Sequence, residues 1–191
     1  SNPERITAFG NQAIFKMYDP TNGWEPWITD GTLAGTALLK DIRGNGDSDP
    51  GDFTMVGSKM FFTADDGIIG RQLWVTDGTT NGTIVLPANT TGTSNVTSLT
   101  AVGNTLYYSA DDGVNGIELY RTDGVDTYLF ADLNTTAGQG SNPDNMYLYN
   151  EVLYFSANDG ENGIELWFKP PSTFDDGIEG LGNGFAGFGY A

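Results

Sequence analysis

The sequence predicts an all-β fold made of tandem four-stranded antiparallel units. Three observations predict it: two residue markers that share one period, short segments of alternating apolar residues, and Gly-containing turns between them. The first marker is Phe9-Gly10-Asn11-Gln12-Ala13-Ile14-Phe15, echoed by Val56-Gly57-Ser58-Lys59-Met60-Phe61-Phe62, Val102-Gly103-Asn104-Thr105-Leu106-Tyr107-Tyr108 and Tyr149-Asn150-Glu151-Val152-Leu153-Tyr154-Phe155. Gly10, Gly57, Gly103 and Asn150 stand 47, 46 and 47 residues apart. The second marker is aromatic, at Trp27, Trp74, Tyr120 and Trp167, and it keeps the same three spacings. Two markers in step define a repeat.

Within the second unit, strands are expected at about Asp52 to Val56, Lys59 to Ala64, Arg71 to Thr76 and Thr83 to Pro87. Val56-Gly57 separates the first pair, Asp65-Asp66-Gly67 the next, and Thr76-Asp77-Gly78 follows the third. Asp-Gly suits such turns because Gly lacks a Cβ and Asp hydrogen-bonds its own backbone. Four antiparallel strands in some 47 residues match a β-propeller blade, whose faces are buried only by stacking on neighbours. The repeated Trp or Tyr then reads as packing between blades. The expected organisation is a propeller-like repeat domain over 1–171, in units of about 5–51, 52–97, 98–144 and 145–171, followed by a tail over 172–191. The fourth unit is short of a strand, because Lys169-Pro170-Pro171 replaces the Thr-Asp-Gly turn and proline opposes a further central strand.

Composition limits the function. The chain of 191 residues has no cysteine and no histidine, which excludes disulfides, zinc sites of the usual kind and any Ser/His or Cys/His nucleophile. With 25 acidic against 8 basic residues, the net charge of −17 opposes nucleic acid and anionic membrane and favours cations. No apolar run approaches the roughly 20 residues of a membrane helix, so membrane insertion is not expected. A start at Ser1 suits either a processed product or a piece of a longer chain.

Two groups of carboxylates are candidate calcium ligands. Asn45, Asp47, Asp49 and Asp52 crowd one loop with oxygen ligands at alternate positions, as calcium requires, though not in EF-hand spacing. The turn residues Asp65, Asp66, Asp111, Asp112 and Asp159 could hold equivalent cations near Glu118 and Glu165; the competing reading makes them turn-shaping residues. No carboxylate pair stands out from the repeat as a catalytic pair would, so no enzyme is expected. Sequons occur at Asn81, Asn89, Asn95 and Asn134. The Gly-aromatic tail carries Phe174, Phe185, Phe188 and Tyr190, and an ordered segment of that composition must dock on its own domain or on another copy.

Gln72-Leu73-Trp74-Val75-Thr76-Asp77-Gly78-Thr79 followed by Gly82-Thr83, Ala64-Asp65-Asp66-Gly67-Ile68-Ile69-Gly70, Glu25-Pro26-Trp27-Ile28-Thr29-Asp30-Gly31-Thr32 and Glu165-Leu166-Trp167 resemble the ELWxxDGT repeat of bacterial extracellular proteins. The resemblance covers roughly Ile6 to Phe168 and departs at Tyr120 and at the shortened link Thr122-Asp123-Gly124-Val125. It implies a large secreted or surface-attached protein with propeller-like units and no shared catalytic residues. The expectation is a structural or adhesive protein of the cell exterior that joins copies of itself through its incomplete last blade and tail. The alternative is a calcium-dependent module binding a glycan or a surface protein.

Overall fold

The computed structural model describes residues 2–44 and 46–169, which form fifteen strands and no helix. Strands β1 (Glu4–Phe9), β2 (Gln12–Asp19), β3 (Gly23–Thr29) and β4 (Ala37–Leu38) make the first sheet in that order. The second is β5 (Gly51–Val56), β6 (Lys59–Asp65), β7 (Arg71–Thr76) and β8 (Ile84–Leu86), and the third is β9 (Thr97–Val102), β10 (Thr105–Asp111), β11 (Ile117–Thr122) and β12 (Thr127–Ala131). The fourth holds three strands among the described residues, β13 (Asp144–Tyr149), β14 (Val152–Asn158) and β15 (Ile164–Lys169). Every pairing is antiparallel between sequence neighbours. The strands expected in the second unit agree with those observed to within a residue or so at each end.

Chemistry local to each turn fixes this up-and-down order. Gly10, Gly57 and Gly103 take φ of 59°, 59° and 60° at the tips of the first hairpins, a region costly for residues with a Cβ. In the Thr-Asp-Gly-Thr loops, Asp30 and Asp77 accept from the backbone N–H and the hydroxyl of Thr32 and Thr79, and Thr29 pairs with Thr36 as Thr76 pairs with Thr83. The third sheet does without the second threonine pair: the Thr122 hydroxyl donates to the Asp126 carbonyl across the shortened link.

Each first strand is also bulged near its start, with Arg5, Asp52, Ser98 and Asn145 at φ of 53° to 56°. A bulge bends and twists the strand, and its return at one register position shows that the units share a shape as well as a sequence.

The chain forms two compact units that meet between Ser94 and Asn95. In the first, β1 lies beside β5, and Ile14, Ile28 and Leu39 pack with Met60. A second cluster there joins Phe62, Ala64 and Trp74 to Ile42 of the preceding linker. In the second unit β9 lies beside β13, and Tyr107, Leu119 and Ala131 pack with Leu153, Phe155, Ala157 and Trp167. Trp74 therefore packs on the linker that precedes its sheet, and Trp167 packs against the cluster shared by the third and fourth sheets.

Candidate functional site

Most of the acidic residues singled out by the sequence act inside the fold. Asp65 and Asp111 accept from the N–H of Gly67 and Gly113 at 2.7 Å, and Asp66, Asp112 and Asp159 each accept from the two N–H groups two and three residues on, at 2.8 to 2.9 Å. These are the side-chain-to-backbone bonds of an Asx turn.

In the acidic loop, Asp47 accepts from the Trp24 N–H at 2.9 Å, Asp49 pairs with Lys16 and with Arg71, and Asp52 accepts from Thr63 and lies 3.8 Å from Arg5. Lys16 holds the Asp49 carboxyl below its ordinary range. With Arg43 bound to Asp65, four of the 8 basic residues of the chain are spent on these acids. Among the described residues no group of three or more His, Cys, Asp or Glu side chains is placed to hold a metal ion. Asn45, Phe174, Phe185, Phe188 and Tyr190 lie outside the described residues.

The sequons divide by burial. Asn89 and Asn134 are buried in the linkers, with their side-chain oxygens accepting from Thr91, Gly92 and Thr136, whereas Asn81 and Asn95 are exposed.

The site that sequence reading missed lies at the linkers between sheets. Glu25, Gln72 and Glu118 occupy one register position on the third strand of their sheets, and all three are fully buried. Each holds the linker that leads to the next sheet, through a serine 22 or 23 residues further on. The Glu25 carboxylate accepts from the Ser48 hydroxyl at 2.6 Å, the Ser48 N–H at 3.2 Å, the Ile42 N–H at 3.0 Å and the Arg43 N–H at 3.4 Å. Glu118 likewise takes the hydroxyl of Ser141, its N–H at 2.6 Å and the Leu133 N–H at 3.2 Å. Gln72 works with the opposite polarity: its amide donates to the carbonyls of Ile69, Asn89 and Gly92 at 3.2, 3.1 and 2.6 Å, while its oxygen accepts from Ser94. The signal was present, since 25, 72, 118 and 165 are spaced 47, 46 and 47 and so are 1, 48, 94 and 141.

Burial pushes the carboxyls of Glu25 and Glu118 above their ordinary value, against the pull of the hydrogen bonds. In the other direction, the Thr32 and Thr79 hydroxyls lower Asp30 and Asp77, as Lys16 lowers Asp49. The raised pair contributes stability below the unfolded value of 4.5 and loses it as pH rises through the folded one. The lowered group contributes above 3.8 and loses it as pH falls. The thermal midpoint, followed by circular dichroism, is therefore expected to be higher near about pH 4.5 than near about pH 7.5, and to fall again below about pH 3.

The fourth sheet presents the same position without its joint. Glu165 is only partly buried, and its side chain makes no hydrogen bond or ion pair among the described residues. Its neighbour Leu166 is 45% exposed, while Leu73 and Leu119 at that position are fully buried. Tyr147, Tyr149 and Ile164 add further exposed apolar surface to this sheet. No protein-family model matches the chain, and no curated protein gives a significant match.

Proposed function

We propose that the protein is a non-enzymatic structural or adhesive component of the cell exterior. In this reading its propeller-like sheets join copies into an oligomer or filament through the incomplete last sheet and the segment 172–191. The observation that carries the reading is the edge at β15. In the other sheets the third strand is covered by β4, β8 or β12, whereas β15 is an edge strand among the described residues and lies on a sheet with exposed Tyr147, Tyr149, Ile164 and Leu166. An uncovered edge offers a row of N–H and C=O groups to an added strand, and apolar side chains beside it favour a protein partner over solvent.

The residues quoted as resembling the ELWxxDGT repeat support the extracellular placement. A chain without His or Cys has few means of nucleophilic or metal catalysis, which supports a non-enzymatic role. Among the described residues of the acidic loop, the carboxylates of Asp49 and Asp52 are already faced by Lys16, Arg71 and Arg5, which speaks for the structural reading over the calcium-dependent alternative.

The test is the mass in solution. Light scattering on the intact chain is expected to give a mass that climbs above 20.5 kDa with concentration, and more steeply in added salt, which screens repulsion between copies of charge −17. Deleting 172–191 should leave a folded monomer. Equal masses for the intact and truncated chains would reject the assembly role of the tail.

A further inference from the structure

The geometry points to a self-processing site at the first joint, where the Asp49 side chain attacks its own carbonyl carbon and opens the Asp49–Pro50 peptide bond, assisted by Arg71 and Lys16. This activity goes beyond the assembly reading and does not depend on it.

The reacting residue is held from every side. The N–H groups of Ser48 and Asp49 both donate to the Trp24 carbonyl at 3.1 Å, and Pro50 is buried on the other side of the bond. One nitrogen of Arg71 donates to the Asp49 carbonyl oxygen at 2.7 Å and to Oδ2 of the same residue at 3.1 Å. A single guanidinium thus bridges the carbonyl to be attacked and the carboxylate that attacks it. Lys16 donates to the other carboxylate oxygen, Oδ1. Arg71 is fixed in turn by the Thr63 hydroxyl at 2.8 Å, which donates to Asp52 at 2.9 Å. Asp49 stands at φ 49°, a left-handed backbone for a residue with a Cβ, and it precedes a proline, which pushes its neighbour toward extended backbone. Opening the bond relieves both constraints.

The first joint alone carries this set. Asn95 and Asn142 occupy the position of Asp49 in the next two joints and share its backbone, at φ of 47° and 49°, but an amide is not a carboxylate nucleophile. Where Lys16 and Arg71 stand, the second joint has Thr63 and Ile117 and the third has Ser109 and Ile164. The other Asp-Pro pair among the described residues, Asp19-Pro20, lacks the arrangement: Oδ1 of Asp19 is occupied by the N–H groups of Thr21 and Asn22, and no basic side chain is bonded to this residue.

The steps balance with water as the only other reactant. A carboxylate oxygen of Asp49 adds to the carbonyl carbon of the same residue and closes a five-membered ring. Charge develops on the carbonyl oxygen, where Arg71 already donates, as oxyanion stabilisation requires. Collapse of the ring intermediate breaks the C–N bond, and the departing Pro50 nitrogen takes a proton from the Lys16 ammonium. The products are a cyclic aspartyl anhydride and a prolyl amine. Water reaches the site because the Asp49 side chain is 55% exposed. It opens the anhydride to the two carboxylates of a C-terminal aspartate and releases two protons, one to Lys16 and one to the prolyl amine. The first sheet is then held to the second by packing alone, through Ile14, Ile28, Leu39 and Met60.

The test follows the intact chain by mass spectrometry through a week-long incubation at neutral pH with protease inhibitors present. Fragments 1–49 and 50–191 are expected, with masses that sum to the intact chain plus one water, and with Pro50 as the new N-terminal residue. The rate should not change on dilution, and the chain unfolded in urea at the same pH should cleave at least about tenfold more slowly, because unfolding removes the positioning. Arg71→Gln should slow cleavage about 100-fold by loss of the oxyanion donor. Asp49→Glu keeps the charge but must close a larger ring, and should slow cleavage at least about tenfold. Circular dichroism confirms that each variant is folded at the incubation temperature. The inference is overturned if the folded chain stays intact, if the unfolded chain cleaves as fast, or if Asp49→Glu cleaves at the wild-type rate. A rate that climbs with protein concentration overturns it as the mark of a second molecule, and equal cleavage at Asp19-Pro20 overturns it as ordinary Asp-Pro lability.

Discussion

Replacing Gln72 by Glu is expected to destabilise the fold by about 3–5 kcal/mol at neutral pH, although the two side chains have nearly the same shape and Glu is the residue at the equivalent positions of the first and third sheets. The reason lies in the direction of the hydrogen bonds. The Gln72 amide donates to the carbonyl oxygens of Ile69, Asn89 and Gly92 in a fully buried position. An ionised carboxylate donates nothing, so the substitution sets a buried negative charge among three acceptors and leaves those carbonyls unpaired. Burial and the three oxygens would together raise the pKa of the new carboxyl. The sign follows: a raised folded pKa means the deficit is smallest in acid and grows as pH rises through it. Urea unfolding of Q72E at pH 5 and pH 7 checks both size and direction, with Thr90→Glu at an exposed site as control. Midpoints that match the control at both pH values would show that the joint does not hold the linker as described.

The repeat itself was legible because it is written in local chemistry. Thr-Asp-Gly and Asp-Asp-Gly turns bind their own backbone within two or three residues, so the hairpins they make could be placed from sequence with little error. The joints depend on longer separations. Ser48 meets Glu25 across 23 residues and Lys16 meets Asp49 across 33, and periodicity alone does not say which side chains at a repeated position turn inward. Glu118 and Glu165 were read as carboxylates near candidate cation sites, whereas Glu118, like Glu25, faces linker N–H groups in the core. The pairing of the acidic loop was not legible for the same reason, since the cations that face Asp49 arrive from β2 and β7. What could have revealed the joint is the shared spacing of the Glu/Gln and Ser positions. Sequence does not supply the polarity of each linker, which is set by whether its backbone turns N–H or C=O groups toward the buried side chain.

That polarity leads to the second large effect, at Glu118. Substitution by Leu preserves volume and removes a buried charge, a change that is often harmless when a whole ionic group is replaced by apolar atoms. Here the partners remain: the N–H groups of Ser141 and Leu133 would face a methyl group in a position closed to water. Each orphaned donor costs about 1–3 kcal/mol, and the Ser141 hydroxyl loses its acceptor as well, so a destabilisation of about 3–5 kcal/mol is expected. Glu118→Gln should lie between, near about 1–3 kcal/mol, because its oxygen still accepts one N–H while its amide turns toward another donor. The pH dependence separates lost hydrogen bonding from lost charge. Burial raises the Glu118 carboxyl, so the wild-type stability from this residue declines as pH rises, whereas Leu and Gln do not titrate. The gap between wild type and either variant should therefore be widest in mild acid and narrow toward pH 7. A gap that widened with pH would mean that the ionised carboxylate, and not the protonated one, is the form the joint prefers. An unchanged midpoint for E118L would mean that Ser141 and Leu133 find other acceptors, and the ordered rank of Leu, Gln and Glu would lose its physical basis.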